Sequence, residues 1–147
     1  MRILLLTQWF DPEPMSFKGL AFARELVKRG HEVEVLTGFP NYPGGKVYPG
    51  YRVRPWRREV MDGIRINRVA RYPSHDGSGA RRALNYASFA TTAASLGPLL
   101  VRKPDVVYVH HLVTLAPAAI ATTSRYGASL SSNPRTSGPI RSRTRAC

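Results

Sequence analysis

The chain has 147 residues, of which 43% are apolar, and a formal net charge of +13. This length fits one domain of ordinary size and excludes a two-domain enzyme, while the apolar content excludes wholesale disorder. The excess of basic residues indicates an anionic partner, for which nucleic acid, acidic lipid and nucleotide phosphate all qualify. The single cysteine, Cys147, excludes a disulfide framework or a cysteine-ligated zinc site within one chain.

The first part of the chain alternates between strand and helix patterns. The apolar run at residues 2–7 is typical of a parallel strand covered on both faces. It is too short for the core of a signal peptide, so we expect a cytoplasmic protein. Apolar residues at helical spacing predict an amphipathic helix around residues 20–27, ended by Gly30, and residues 31–37 form the next strand. This order is a βαβ unit with a right-handed crossover.

The middle of the chain begins with a segment rich in proline and glycine, residues 38–50, which we interpret as a long functional loop. Two short strands are predicted after it, at residues 51–54 and 64–69. Residues 61–63 (Met-Asp-Gly) are typical of the turn between such strands.

Two helices and one strand complete the predicted domain. We expect a helix over residues 81–96 that Pro98 helps to end, a buried strand over 105–109, and a helix over 112–126. Residues 83–101 carry no charge and approach the length that spans a bilayer. Their polar members favour a helix that packs in a soluble domain or lies near a membrane.

Composition changes at Gly127. Residues 128–147 contain five serines, four arginines and two prolines, with no acid and no apolar period. We therefore interpret them as a disordered tail. The 18 basic and 9 acidic residues of the preceding part leave it a net charge of +9, so the folded part is basic in its own right.

The segment between the first strand and the first helix is the first candidate site. Neither G-x-G-x-x-G nor G-x-x-x-x-G-K-[ST] occurs in the chain, which argues against an NAD dehydrogenase and a P-loop ATPase. The segment ends at a helix N-terminus, whose free N–H groups can receive a phosphate, and Lys18 adds positive charge beside Gly19. The alternative is a plain surface loop in which Gly19 only allows close packing.

Two adjacent histidines are the second candidate site. His110 and His111 follow the predicted strand 105–109, at the carboxyl edge where parallel α/β sheets bind ligands. Neighbouring side chains on an extended segment point in opposite directions, so at most one faces the cleft. No further ligand spacing supports a metal site, and we expect no metal cofactor.

Residues 46–82 hold ten basic residues and three acids, with aromatic residues between them. Such interleaving is compatible with base stacking on nucleic acid, yet no recognisable nucleic-acid module is present. A solvated face, or a face held against acidic phospholipid, explains the same charge. We favour lipid or solvent over nucleic acid.

Several of these segments together resemble a known family. They are the strand at residues 1–7, the run KRGHEVEVLT at 28–37, the loop GFPNYP at 38–43, the segments RE at 58–59 and DGIRI at 62–66, and KPDVVYV at 103–109. Over residues 1–127 the chain resembles the amino-terminal, acceptor-side domain of retaining GT-B glycosyltransferases, of the subfamily 4-like type that builds capsule, O-antigen and exopolysaccharide. The resemblance implies a Rossmann-like α/β fold, a parallel sheet with helices on both faces.

The resemblance also implies a function and site residues. Such enzymes transfer a sugar from a nucleotide-sugar donor to a lipid-linked acceptor, in the cleft between two Rossmann-like domains. By this resemblance Lys18 and Gly19 lie near the donor phosphates, and His110 or His111 faces the transferred sugar. The nucleotide sugar is a substrate, so no cofactor is expected. Most donor contacts belong to a carboxyl-terminal domain that the 147 residues do not include, so we expect a truncated fragment without turnover.

The tail suggests an origin for this truncation. A one-base shift of the reading frame, beginning with the last base of the Pro134 codon, permits codons that spell a motif resembling the one these transferases carry after the next strand. We therefore interpret residues from about 128 onward as a frameshift product, which the DNA sequence past Gly127 would test.

Two other hypotheses on function stand beside that of a glycosyltransferase domain. One is a non-catalytic basic module that binds an acidic membrane or nucleic acid, which salt-dependent binding to vesicles or DNA would reveal. The other is an accessory half that completes its cleft with a separate chain. The glycosyltransferase reading places the protein in the cytoplasm, peripherally on the inner membrane face, with the nucleotide sugar and the lipid-linked acceptor as partners.

Overall fold

The computed structural model describes residues 1–14, 19–42, 44–72, 78–110 and 112–131. Over these residues, three helices alternate with the strands of one six-stranded sheet. In chain order the elements are β1 (Arg2–Leu6), α1 (Leu20–Lys28), β2 (Glu32–Gly38), β3 (Trp56–Met61), β4 (Ile64–Val69), α2 (Gly79–Leu100), β5 (Val106–Val109), α3 (Leu112–Tyr126) and β6 (Ser129–Ser131).

The sheet is parallel except at one edge. Its strand order is β3-β4-β2-β1-β5-β6, and only β3 runs antiparallel to its neighbour. The central strand β1 pairs on one side with β2, where Ile3 faces Val33, and on the other with β5, where Ile3 faces Val106. The predicted fold class, a Rossmann-like parallel sheet with helices on both faces, is confirmed.

The side chains of β1 point alternately to the two faces of the sheet, and each face has its own part of the core. Ile3 and Leu5 point to the face that α1 covers, where Ala23 is fully buried. Leu4 and Leu6 point to the face that α2 and α3 cover, where Phe89 of α2 is fully buried. A continuous apolar strand is required because both of its faces are buried.

The helix α2 is longer than the sequence predicted. Pro98 was expected to help end it, but the helix runs to Leu100 with Pro98 inside it. Pro98 is buried, and its carbonyl accepts a hydrogen bond from the Tyr126 hydroxyl at 2.6 Å. The Val101 N–H donates to the carbonyl of Gly97 at 3.0 Å. Packing against α3 thus holds the last turn despite the missing proline N–H. No helix in the described ranges is long and apolar enough to cross a bilayer.

One predicted strand of the hairpin at the sheet edge lies elsewhere in the structure. We expected a strand over residues 51–54, whereas β3 begins at Trp56. The turn lies where the sequence placed it: Asp62 and Gly63 have φ angles of +51° and +76°, which suit a two-residue hairpin turn. Since Met61 pairs with Ile64 and Trp56 with Val69, the length of β4 determines where β3 starts.

The sheet also extends beyond the predicted domain boundary. Residues 128–147 were expected to lack regular structure, but Ser129–Ser131 form β6, parallel to β5. Gly127, at a φ of +65°, allows the chain to leave α3, and the Ser129 N–H donates to the carbonyl of Asp105 at 3.0 Å. Backbone pairing, rather than an apolar side-chain pattern, forms this strand. Residues 132–147 lie outside the described part of the chain.

Candidate active site at the carboxyl edge of the sheet

The carboxyl ends of the parallel strands meet at one edge of the sheet, where ligands bind in folds of this kind. The Thr7 N–H, directly after β1, donates to the carbonyl of Leu36 at 3.1 Å. On the other side of β1, the His110 N–H donates to the carbonyl of Leu6 at 3.0 Å. These bonds place the segments that follow β1, β2 and β5 side by side.

A buried ion pair lies at this edge. Nη2 of Arg71, two residues after β4, lies 2.7 Å from Oε1 of Glu13, in the loop after β1. The two side chains are 1% and 0% exposed, so the pair is fully desolvated. Burial lowers the pKa of the Arg71 guanidinium from its ordinary value, while the carboxylate of Glu13 acts in the opposite direction.

Backbone carbonyls accept hydrogen bonds from the other two nitrogens of Arg71. Its Nε donates to the carbonyl of Phe39 at 2.9 Å, and its Nη1 donates to the carbonyl of Gln8 at 3.0 Å. Such additional bonds are required for a buried ion pair to be tolerated. The Arg71 side chain therefore connects the segment after β4 to those after β2 and β1.

Glu13 ties the same loops together through backbone donors. Its Oε1 accepts from the N–H groups of Asn41 and Tyr42, each at 2.9 Å, and its Oε2 accepts from the Phe10 N–H at 3.2 Å. Charge-assisted bonds of this type are stronger than neutral ones. Glu13 and Arg71 together fix the relative positions of three loops at the edge.

A second buried arginine lies on the β4 side. Arg68 of β4 is fully buried and forms an ion pair with Glu59 of β3. Its guanidinium also donates to the carbonyl of Gly38 at 3.0 Å and to the carbonyl of Asp11. The phenol of Tyr51 donates to the Glu59 carboxylate at 3.3 Å, and burial raises the pKa of this phenol. This network anchors the loop after β1 to the hairpin.

Three aromatic side chains form a half-buried cluster at this edge. The ring of Trp9, three residues after β1, meets the ring of Tyr42 edge-on, with centroids 6.2 Å apart. It also meets the ring of Tyr86, on α2, at 6.4 Å. Edge-to-face pairs at these distances are favourable. All three residues are half-buried, so the rings form a partly exposed wall rather than part of the core.

Buried polar groups lie beneath the aromatic cluster. The side-chain amide of Gln8 donates to Oδ1 of Asn85 at 2.8 Å, and the amide of Asn85 donates to the carbonyl of Tyr72. In the described part of the chain, Oε1 of Gln8 and Nδ2 of Asn41 have no hydrogen-bond partner although both are buried. Unsatisfied buried groups are costly, so they mark positions where a water or a ligand hydroxyl is favoured.

The structure describes two of the four site residues that the sequence predicted. His110 is half-buried directly after β5, at the expected edge. Gly19 is buried at the N-cap position of α1, but the first helical amide, Leu20 N–H, donates to Oδ2 of Asp11 at 2.7 Å. A carboxylate thus occupies one of the donors that were expected to receive a phosphate. Lys18 and His111 lie outside the described residues.

Sequence reasoning missed the groups that hold this edge together. Trp9 carried a signal, because it closely follows a buried parallel strand, where ligand-binding residues are common. Glu13 carried a weaker one, as an acid between two prolines in a strongly basic chain. Its pairing with Arg71, 58 residues away, has no local signature. Among the described residues, no group of three or more histidine, cysteine, aspartate or glutamate side chains is arranged to hold a metal ion.

Solved structures with a similar fold are glycosyltransferases of the GT-B type. The catalytic domain of starch synthase IV from Arabidopsis thaliana, bound to ADP and acarbose, matches with a TM-score of 0.55 and 15% identity over 81% of this chain. Trehalose-phosphate synthase from E. coli, bound with UDP-2-fluoro glucose, matches with a TM-score of 0.51 and 15% identity over 88% of this chain. The chain spans 29% and 32% of those two structures, respectively.

Sequence comparison identifies the family. No curated protein sequence matches the chain. A family model does match it, that of the glycosyl transferase 4-like domain, over residues 20–146. This match covers most of the chain and agrees with the GT-B fold. The chain therefore belongs to the glycosyl transferase 4-like domain family.

Proposed function

We propose that this domain forms the acceptor side of a glycosyltransferase that passes a sugar from a nucleotide donor to a lipid-linked acceptor in the synthesis of surface polysaccharide. The observation that carries the proposal is the aromatic wall of Trp9, Tyr42 and Tyr86 at the carboxyl edge of the sheet. Aromatic side chains with a few fixed polar groups are typical of small-molecule sites, and a sugar ring offers an apolar face to such a wall.

The polar groups of the edge suit an acceptor with hydroxyl groups. The backbone of His110 is bonded to Leu6 on the other side of β1 from β2, at the same edge as Trp9, and a neutral imidazole can both donate and accept a hydrogen bond. We propose that it contacts the transferred sugar. The Glu13–Arg71 pair is fully buried, and each nitrogen of the guanidinium already donates a hydrogen bond within the fold, so we assign the pair the role of positioning the loops.

The donor phosphates are proposed to approach Gly19 and Lys18. Retaining transfer requires cationic or N–H groups at the leaving diphosphate, because negative charge develops there as the glycosidic bond breaks. The Asp11 carboxylate must release the Leu20 N–H before a phosphate can bind at the start of α1, since two anions repel each other there. Neither buried arginine can substitute, because Arg68 and Arg71 are already paired with glutamates.

Acceptor binding is tested with tryptophan fluorescence. The chain has two tryptophans, so Trp56→Phe leaves Trp9 as the only reporter at the edge, and Trp9→Phe leaves Trp56 on β3 as the matched control. With a short-chain polyprenyl-diphosphate monosaccharide as probe, we expect a saturable change in Trp9 emission. Adding Tyr86→Ala to the Trp9 reporter is expected to weaken binding roughly tenfold, the effect of losing about one aromatic contact. A saturable change confined to the Trp56 reporter would contradict this site.

The 147-residue chain by itself is expected to have no turnover. It spans about a third of the length of the solved structures it resembles, and the described edge holds no unpaired buried cation for the leaving diphosphate. The measurement is release of nucleoside diphosphate from purified protein given a nucleotide sugar and the acceptor probe. Release above the level of a Trp9→Phe, Tyr86→Ala control would show that this chain alone completes the site.

A further inference from the structure

Two buried side chains at the candidate active site each have a polar atom that the fold leaves unused. Oε1 of Gln8 and Nδ2 of Asn41 have no hydrogen-bond partner among the described residues, although the two residues are only 1% and 3% exposed. A buried polar group without a partner is costly, so each one in a native fold calls for an explanation. One atom is an acceptor and the other is a donor, yet the fold keeps them unbonded.

The orientation of the Gln8 amide follows from its neighbours. The carbonyl of Tyr72 can only accept, so Nδ2 of Asn85 must be the atom that donates to it. Oδ1 of Asn85 therefore faces Gln8, where it accepts a hydrogen bond from Nε2 at 2.8 Å. A flipped Gln8 amide would place oxygen against oxygen. The fold thus leaves an acceptor, and not a donor, unused at this point.

Two sets of contacts hold Gln8 close to Asn41. Arg71 donates to the carbonyl of Gln8 at 3.0 Å and forms the buried ion pair with Glu13. The same Oε1 of Glu13 accepts from the Asn41 N–H at 2.9 Å. The residues that directly follow Gln8 and Asn41 supply two rings of the aromatic wall, whose centroids are 6.2 Å apart. The two segments that carry the unused atoms therefore lie side by side.

We propose that Gln8 and Asn41 determine the acceptor specificity of this domain by binding one hydroxyl group of the acceptor sugar. The hydroxyl donates its proton to Oε1 of Gln8 and accepts a hydrogen bond from Nδ2 of Asn41. A hydroxyl can do both, whereas a hydrogen can do neither and an ether oxygen can only accept. This inference rests on the proposed function, because it names the groups that recognise the acceptor beside the aromatic wall.

Both unused atoms are closed off from solvent, so a sugar reaches them only when a neighbouring side chain moves. We expect the half-buried ring of Trp9, the residue after Gln8, to move as the hydroxyl enters. The emission of Trp9 therefore reports this event. The competing occupant is a buried water molecule that belongs to the structure and satisfies the same two atoms.

The test compares analogues of the acceptor probe on the full chain with Trp56→Phe, in which Trp9 is the reporter. In each analogue of the polyprenyl-diphosphate monosaccharide, one hydroxyl is replaced by hydrogen or by fluorine. At one position, hydrogen is expected to weaken binding roughly tenfold or more, because it leaves two buried atoms without a partner. Fluorine should be no better than hydrogen there, since it cannot donate to Oε1 of Gln8.

Variants of the two residues assign this discrimination to them. Asn41→Leu and Gln8→Met should each reduce the ratio between the hydroxyl and hydrogen probes, and the double variant should abolish it. The matched control is Thr37→Val, because Oγ1 of Thr37 is also buried and has no partner in the described ranges. Its side chain points with Val35 to the face that α1 covers, whereas Gln8 reaches α2. Thr37→Val should keep the full ratio.

Each contrary result has its own meaning. An unchanged ratio in Asn41→Leu, with a loss of stability in urea unfolding, would assign the two atoms to a structural water. A fluorine analogue that binds like the hydroxyl probe, or an equal loss of the ratio in Thr37→Val, would also overturn the inference. If Gln8→Met does not fold, Asn41→Leu decides, because it leaves the bond between Gln8 and Asn85 in place.

Failure of this inference is distinguishable from failure of the proposed function. A saturable change in Trp9 emission at which every hydrogen analogue binds as tightly as the parent probe would overturn the specificity inference alone. The absence of any saturable change with the parent probe would overturn the proposed acceptor site and, with it, this inference.

Discussion

The Glu13→Ala variant is expected to lose about 3–5 kcal/mol of its free energy of unfolding, because the change leaves a charged guanidinium buried without its partner. Glu13 is fully buried, and besides Arg71 it accepts hydrogen bonds from three backbone N–H groups in two loops. The Arg71 guanidinium and the N–H groups of Phe10 and Asn41 would remain buried without this acceptor. Domains of this size are stable by about 5–15 kcal/mol, so the loss is a large fraction of the total.

Urea unfolding followed by circular dichroism measures this loss. The control is Glu25→Ala, which removes an exposed ion pair between Glu25 of α1 and Arg29, the residue after this helix, and is expected to change the stability by less than about 1 kcal/mol. If Glu13→Ala does not fold, Glu13→Gln keeps the shape and part of the hydrogen bonding, and it should unfold at a lower urea concentration than the parent protein. Equal stability of the Glu13→Ala and Glu25→Ala variants would refute the structural role of the buried pair.

Gly38→Ala is expected to destabilise the protein by about 1–3 kcal/mol through overpacking. A Cβ at this last residue of β2 would lie 2.7 Å from Cδ and 2.9 Å from Nε of Arg71. Arg71 cannot move away at little cost, because its guanidinium is tied to the carbonyls of Phe39 and Gln8 and to Glu13. The site network thus explains why this strand position holds glycine.

Two comparisons separate this explanation from a general effect of a larger side chain. Gly97→Ala places a Cβ 2.6 Å from Cδ2 of Leu36, but that atom is the end of a flexible side chain, and alanine favours the helix. We expect a smaller loss there. In an Arg71→Met background, Gly38→Ala should cost at least about 0.5 kcal/mol less than in the parent protein, as a double-mutant cycle would show. An unchanged cost in that background would exclude a clash with Arg71.

Most of the fold was predictable because both faces of the sheet are buried. Burial leaves a direct signal in the sequence of these elements. It appears as continuous apolar runs in β1 and β5 and as helical spacing of apolar residues in α1. The predicted ranges of α3 and β4 match the structure in full. A buried strand or an amphipathic helix must show such a pattern, since few polar residues tolerate complete burial.

The errors lie where backbone pairing or packing, rather than apolar periodicity, determines the structure. β3 has polar residues on both sides, because Arg58 donates to the side chain of Asn67 on one side and Glu59 pairs with the buried Arg68 on the other, so its pattern does not look like that of a strand. Counting back from the turn by the length of β4 would have found it. β6 contains two serines and forms only because the β5 edge is available. Pro98 stays helical because the hydroxyl of Tyr126, on another helix, holds its carbonyl.

The candidate site was less predictable than the fold for a similar reason. His110 and Gly19 could be predicted because each directly adjoins an element that the local sequence reveals: His110 follows β5, and Gly19 precedes α1. Glu13 and Arg71 meet only after the sheet has brought the ends of β1 and β4 together. The aromatic wall likewise draws its rings from three separate segments, so a single sequence without its tertiary structure does not show it.

The position of β1 in the middle of the sheet has a consequence for synthesis on the ribosome. Its partner β2 follows within a few tens of residues, but its other partner is far along the chain, as the contact between Arg2 and Asp105 across 103 residues shows. A nascent chain can therefore form the β1–β2 pair early, while the second edge of β1 stays open until Val106–Val109 has left the exit tunnel. Open strand edges recruit other chains. Slow translation between α1 and β5 would prolong this exposure and increase the demand for chaperones.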